Sequence, residues 1–94
     1  MYDKTEFFKV ARYLTEKGIK FVVRPLYDGC QLYVLNDEKE GSWAFDVILH
    51  GGSYGHEKGL LEVMGISKCP YDSVEGYLTG EAVIERIKEI YLGE

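Results

Sequence analysis

A chain of 94 residues with 46% hydrophobic content, including Trp43, four Phe and eight Tyr, supplies one small domain, 1–94, with a core of its own. The net charge of −5, without a basic stripe, argues against general nucleic-acid binding and leaves a solvated acidic surface as the default. No apolar run is long enough to span a bilayer, and the polar start Met-Tyr-Asp-Lys-Thr-Glu is no signal peptide, so a cytoplasmic protein with no membrane partner is expected.

In chain order, Asp3 and Glu6 have the spacing of a capping box, and Phe7, Val10, Ala11 and Leu14 then recur at helical spacing. Gly18 stands where a left-handed cap is wanted, so the first helix is predicted over residues 4–17. Residues 19–25 alternate, with Ile19, Phe21 and Val23 on one side and Lys20, Val22 and Arg24 on the other. Tyr27-Asp28-Gly29 signals a turn and residues 31–36 a second strand, making a hairpin. Residues 36–41 are polar and predict an exposed turn. Alternation then returns, with Trp43, Phe45, Val47 and Leu49 facing one way and Ala44, Asp46, Ile48 and His50 the other. Asp46 is expected to pair with Arg24 or Lys20 on its own face.

Leu60, Leu61 and Met64 share a helical face, which predicts a short middle helix stopped by Gly65. Residues 74–78 read as a short edge strand and Thr79 as the N-cap of a last helix. That helix should bury Val83, Ile84, Ile87, Ile90 and Tyr91 and present a self-repelling ridge of Glu81, Glu85 and Glu89. The predicted fold is α+β. Three antiparallel strands, with residues 74–78 as a candidate fourth, carry the N- and C-terminal helices on their aromatic face. The opposite face is only half polar, so either the middle helix or another copy of the protein should cover it.

The glycine-rich loop between residues 50 and 60 draws the functional reading. It holds both histidines, His50 and His56, and four glycines, Gly51, Gly52, Gly55 and Gly59. Successive amides in such a loop can form a positive concavity for an anion. Gly51, Gly52, Ser53, Tyr54, Gly55, His56 and Lys58 are therefore the candidate ligand-binding residues, Tyr54 offering a ring on which a base can stack. Glu57 offsets Lys58, and a purely structural loop is the plain alternative. Gly51-Gly-Ser53-Tyr-Gly55 also matches the nucleophile-elbow pattern, but that motif belongs to a larger parallel sheet with its histidine far downstream. A metal site could draw on His50, His56, Glu57, Cys69 and Asp46, yet no ligand spacing fixes a geometry. Asp46 and His50 lie about 13 Å apart along an extended strand. Cys30 and Cys69 fit no paired metal or redox spacing and are expected as buried reduced thiols.

Two segments, Ser53-Tyr-Gly-His-Glu-Lys-Gly-Leu-Leu-Glu-Val-Met-Gly65 and Val74-Glu-Gly-Tyr-Leu-Thr-Gly-Glu-Ala-Val-Ile-Glu-Arg-Ile-Lys88, resemble a family of small uncharacterised phage and prophage proteins of Gram-positive bacteria. Tyr77 stands where that family usually has Trp, and Gly80 where it usually has Ala. The resemblance implies an accessory protein of the host cytoplasm and assigns no catalytic residue and no cofactor. By analogy with other small phage proteins, the expectation is a non-enzymatic, homo-oligomeric binding module. Its ligand would be a small anion or nucleotide held by the 51–59 loop in the manner of a counter-defence sponge. The alternatives are an inhibitor docked on a host protein through the exposed sheet face, and a small hydrolase or metal-dependent enzyme using His50 and His56.

Overall fold

The computed structural model describes residues 2–36 and 41–94. Five strands, β1 (Val22–Leu26), β2 (Gly29–Leu35), β3 (Trp43–Leu49), β4 (Leu61–Met64) and β5 (Val74–Leu78), form one antiparallel meander in chain order. Helices α1 (Thr5–Glu16) and α2 (Gly80–Arg86), the second continued by a π turn (Ile87–Tyr91), pack together on one face of it. The fold is α+β with an open sheet. It has five strands where the sequence predicts three or four.

The added strand is the predicted middle helix. Residues 60–64 are too short for a stable helix and alternate, Leu61 and Val63 inward, Glu62 and Met64 outward. Gly59 and Gly65, both at positive φ (70° and 98°), bound the segment at its two ends. Only one tight helical turn, His56–Lys58, remains helical in this part of the chain. β4 instead pairs with β3, Val47 opposite Val63 and Ile48 opposite Glu62.

Phe7, Val10 and Leu14 of α1 meet Val83 and Ile87 over the inward residues of the sheet, among them Leu32, Phe45 and Val47. Gly18 closes α1 as predicted, Ile19 N–H donating to Leu14 O at 3.0 Å and Gly18 N–H to Thr15 O at 3.1 Å. The predicted capping box does not form. Helix α1 starts at Thr5, and Asp3 accepts from the Thr5 amide and hydroxyl at 2.9 and 2.6 Å. Glu6 turns away to accept the Gly80 amide, at 2.7 Å, at the start of α2. Thr79 does cap α2, its Oγ1 accepting from Ala82 N–H at 3.2 Å.

In the last turn Leu92 N–H donates to Ile87 O, five residues back, at 2.9 Å. The wider turn rotates Ile90 outward, against expectation, and brings Tyr91 edge-on to Phe45 at 5.2 Å between ring centroids. The acidic ridge is partly neutralised, Glu81 by Lys9 at 3.0 Å and Glu89 by Lys68.

Trp43 is not in the core. The β2–β3 register slips between Val34 and Leu35, so that Leu35 pairs with Trp43 while Val34 pairs with Phe45. This bulge flips Trp43 to the side opposite Phe45, where it is 42% exposed against 2% for Phe45. Val23, expected on the inward side, is exposed at the edge strand β1, and Cys69, expected buried, is exposed, while Cys30 is buried. Burial pushes the Cys30 thiol above its ordinary pKa. The central part of the predicted polar turn, 37–40, lies outside the described residues; its ends are joined by Asn36 N–H donating to Ser42 O at 2.9 Å.

Candidate functional site

The loop after β3 is built around Ser53, which is 2% exposed. Its hydroxyl accepts from His50 N–H at 3.0 Å and donates to His50 O at 2.9 Å. The Ser53 amide donates to the same carbonyl at 3.0 Å. Gly52 N–H donates to His50 Nδ1 at 2.9 Å, so that nitrogen carries no proton, and the His50 ring stands edge-on to Tyr27 at 5.2 Å. Ser53 Oγ thus bonds backbone atoms of His50, and the imidazole is engaged elsewhere. The nucleophile-elbow pattern is here a closed structural turn.

Most of the amides expected to face an anion already have acceptors. Gly51 N–H donates to Asp28 Oδ1 at 2.8 Å, Tyr54 N–H to Glu62 Oε1 at 3.2 Å and His56 N–H to Ser53 O at 3.4 Å. Two of those acceptors are the chain's own carboxylates. Asp28, in the β1–β2 turn, also takes the Tyr2 hydroxyl. Those two donors, Tyr2 first, hold its carboxyl below the usual carboxylate range, and the bond to Asp28 raises the Tyr2 phenol in turn. Gly55, at φ 94°, places the loop against β5: a Cβ there would lie 2.9 Å from Leu60 Cβ and 3.1 Å from Tyr77 Cα. Tyr77 N–H then donates to Tyr54 O at 3.2 Å, and the two tyrosine rings stack at 6.3 Å.

His56 stands edge-on to Tyr2 at 5.6 Å, with Nε2 3.2 Å from Glu57 Oε2 and a buried Nδ1 that has no hydrogen-bond partner among the described residues. Tyr2, Asp3, His56, Glu57, Lys58 and Gly59 line an open depression of about 430 Å³. The candidate residues therefore share one loop, but they divide between two surroundings, His50 with Tyr27 and His56 with Tyr2. Among the described residues, no three His, Cys, Asp or Glu side chains come together to hold a metal.

The second candidate surface is the outer face of the sheet, which carries no helix among the described residues. Two rows cross it, Val22–Tyr33–Asp46–Met64–Val74 and Arg24–Gln31–Ile48–Glu62. Arg24 Nε donates to Gln31 Oε1 at 2.6 Å and Gln31 Nε2 donates to Asp46 Oδ2 at 2.8 Å. The expected Arg24–Asp46 pairing is thus relayed through an amide, and Gln31 is only 3% exposed. Burial is the largest influence on Asp46 and raises its carboxyl above the ordinary value, outweighing the Gln31 bond and Arg24. Tyr33 and Trp43 stack at 4.6 Å with 20° between their planes. The Arg24 guanidinium carbon lies 5.5 and 5.3 Å from the two ring centroids. The half-apolar pattern already marks this face; the bulge that adds Trp43 to it leaves no local sequence signal. Comparison of the chain with protein-family models, curated proteins and solved structures finds no match.

Proposed function

We propose that this protein is a non-catalytic binding module of the small phage accessory type, acting in the host cytoplasm by docking on another protein through the open face of its sheet. One observation carries the reading. Two helices bury one face, while Val22, Trp43 and Met64 on the other stay exposed beside Tyr33 and an arginine stacked on aromatic rings. Contiguous apolar patches are uncommon on monomeric soluble proteins, and aromatic residues with Arg dominate the centres of protein interfaces.

The sponge-like reading, a small anion or nucleotide in the 51–59 loop, comes second. In its favour, Lys58 has no carboxylate partner at ion-pair distance among the described residues, and it lines the depression beside His56. Against it, an anion at the Gly51 or Tyr54 amide must displace Asp28 or Glu62. Hydrolysis through Ser53 comes last, because that hydroxyl is buried and bonded to backbone.

Amide spectra of isotope-labelled protein at low concentration separate the readings. In unlabelled extract of Gram-positive cells, resonances of the open face should broaden ahead of those on the solvent side of α1. Uniform spectra in extract would overturn the face reading. Shifts centred on residues 51–59 when ATP or inorganic phosphate is added would put the loop reading in its place.

A further inference from the structure

We propose that the open face is covered by a second copy of this chain, related by a two-fold axis along β3, so that Arg24 of each copy pairs with Glu62 of the other. The inference rests on the open face being a recognition surface: at high micromolar concentration a second copy occupies it, and on dilution the face is free for another protein.

Arg24 and Glu62 lie in one row across the face, on β1 and β4, with Gln31 and Ile48 between them. At ordinary strand spacing they are about 14 Å apart, too far to pair within one copy. Arg24 spends its Nε on a neutral amide, and Glu62 accepts one backbone amide. Among the described residues neither has an oppositely charged partner at ion-pair distance. A two-fold axis along β3 reverses the strand order of the facing sheet and lays β1 over the partner's β5. Each Arg24 then stands one strand from the partner's Glu62, across a gap of about 10 Å that the two long side chains span together. One rotation makes the pair twice, as an isologous interface requires.

The same operation sets Ile48 against Ile48 and Tyr33 over Met64, giving an apolar centre with paired charges outside it. Asp46 also meets its counterpart near the axis, but its carboxylate is turned aside toward Gln31 Nε2. Edge-to-edge growth of the sheet is disfavoured. Pro25 leaves β1 without one amide donor, and the Tyr77 amide on β5 is already taken by Tyr54 O. Five short strands offer a flat footprint of about 400 Å². Counted over both copies that is about 800 Å², below the size of stable interfaces, so the expected association is weak, about micromolar at best.

Sedimentation of the purified protein from about 10 to about 500 µM should show a monomer–dimer equilibrium. Arg24→Glu and Glu62→Arg, each alone, should weaken it about tenfold or more, and the double exchange should restore it to within about threefold. Ile48→Lys, on the axis, should abolish it, and serves if a charge variant melts early. A wild-type monomer throughout, single reversals without effect, or a double variant no better than the singles would overturn the dimer. None of these results bears on the broadening in extract, measured on dilute protein, so the two readings fail separately.

Discussion

The two faces of this sheet are made by the same strands yet are held by different physics. On the covered face, inward residues such as Leu32, Phe45 and Val47 are sealed under α1 and the C-terminal helix. On the open face the same strands present Tyr33, Asp46 and Ile48, tied by an arginine–glutamine–aspartate relay and a stacked Tyr–Trp pair. The contrast teaches that alternation says where side chains point only while the ladder keeps its register. Phe45 and Trp43 are two residues apart and both aromatic, yet one fills the core and the other caps a surface relay. That difference can be measured.

Phe45→Ala should lose about 3–5 kcal/mol in denaturant unfolding, as large-to-small core changes do, which is a large share of the stability a domain of this size has. Trp43→Ala should lose about 1 kcal/mol or less. Equal losses would mean that the open face is part of the core. Ser53→Ala sharpens the comparison at the loop joining β3 to β4. The His50 amide and carbonyl each lose the hydroxyl, so about 1–2 kcal/mol should go, with no change in labelling by activated-serine probes.

The smallest effect belongs to Asp46. Its pKa is raised in the folded state, so ionisation counts against the fold above that pKa, and the penalty fades as pH falls through it toward the ordinary carboxylate value. Asp46→Asn should therefore melt above the wild type at pH 7 and match it near pH 3, Asn still accepting from Gln31. A variant that is less stable at pH 7 would show that the carboxylate, and not its burial, matters to the relay.

What could be read from the sequence was local. The buried stripe of α1, the Gly18 stop, the β1–β2 hairpin and the Thr79 cap depend on neighbours within a turn, and the structure has them all. The β4 segment reads as a helix because the spacing of Leu60, Leu61 and Met64 fits a helix face as well as Leu61 and Val63 fit a strand. The decision came from a vacant edge on β3, which the sequence does not display. Trp43 changed sides through a single extra residue in the ladder. The glycine loop was legible as a special piece of backbone. Its amides looked available because Asp28 and Glu62, which occupy two of them, are 23 and 8 residues away in the chain.

The bond between Glu6 and the Gly80 amide spans 74 positions of sequence. It joins the first helix to the last, and between them runs a meander whose strands pair only with their chain neighbours. During synthesis the sheet can therefore zip strand by strand as it leaves the ribosome. The apolar stripe of α1 has to wait, because Val83 and Ile87, which cover it, follow all five strands in the chain. Until then a nascent chain carries a sheet with an unfinished roof, and the arrival of α2 decides when it stops being sticky.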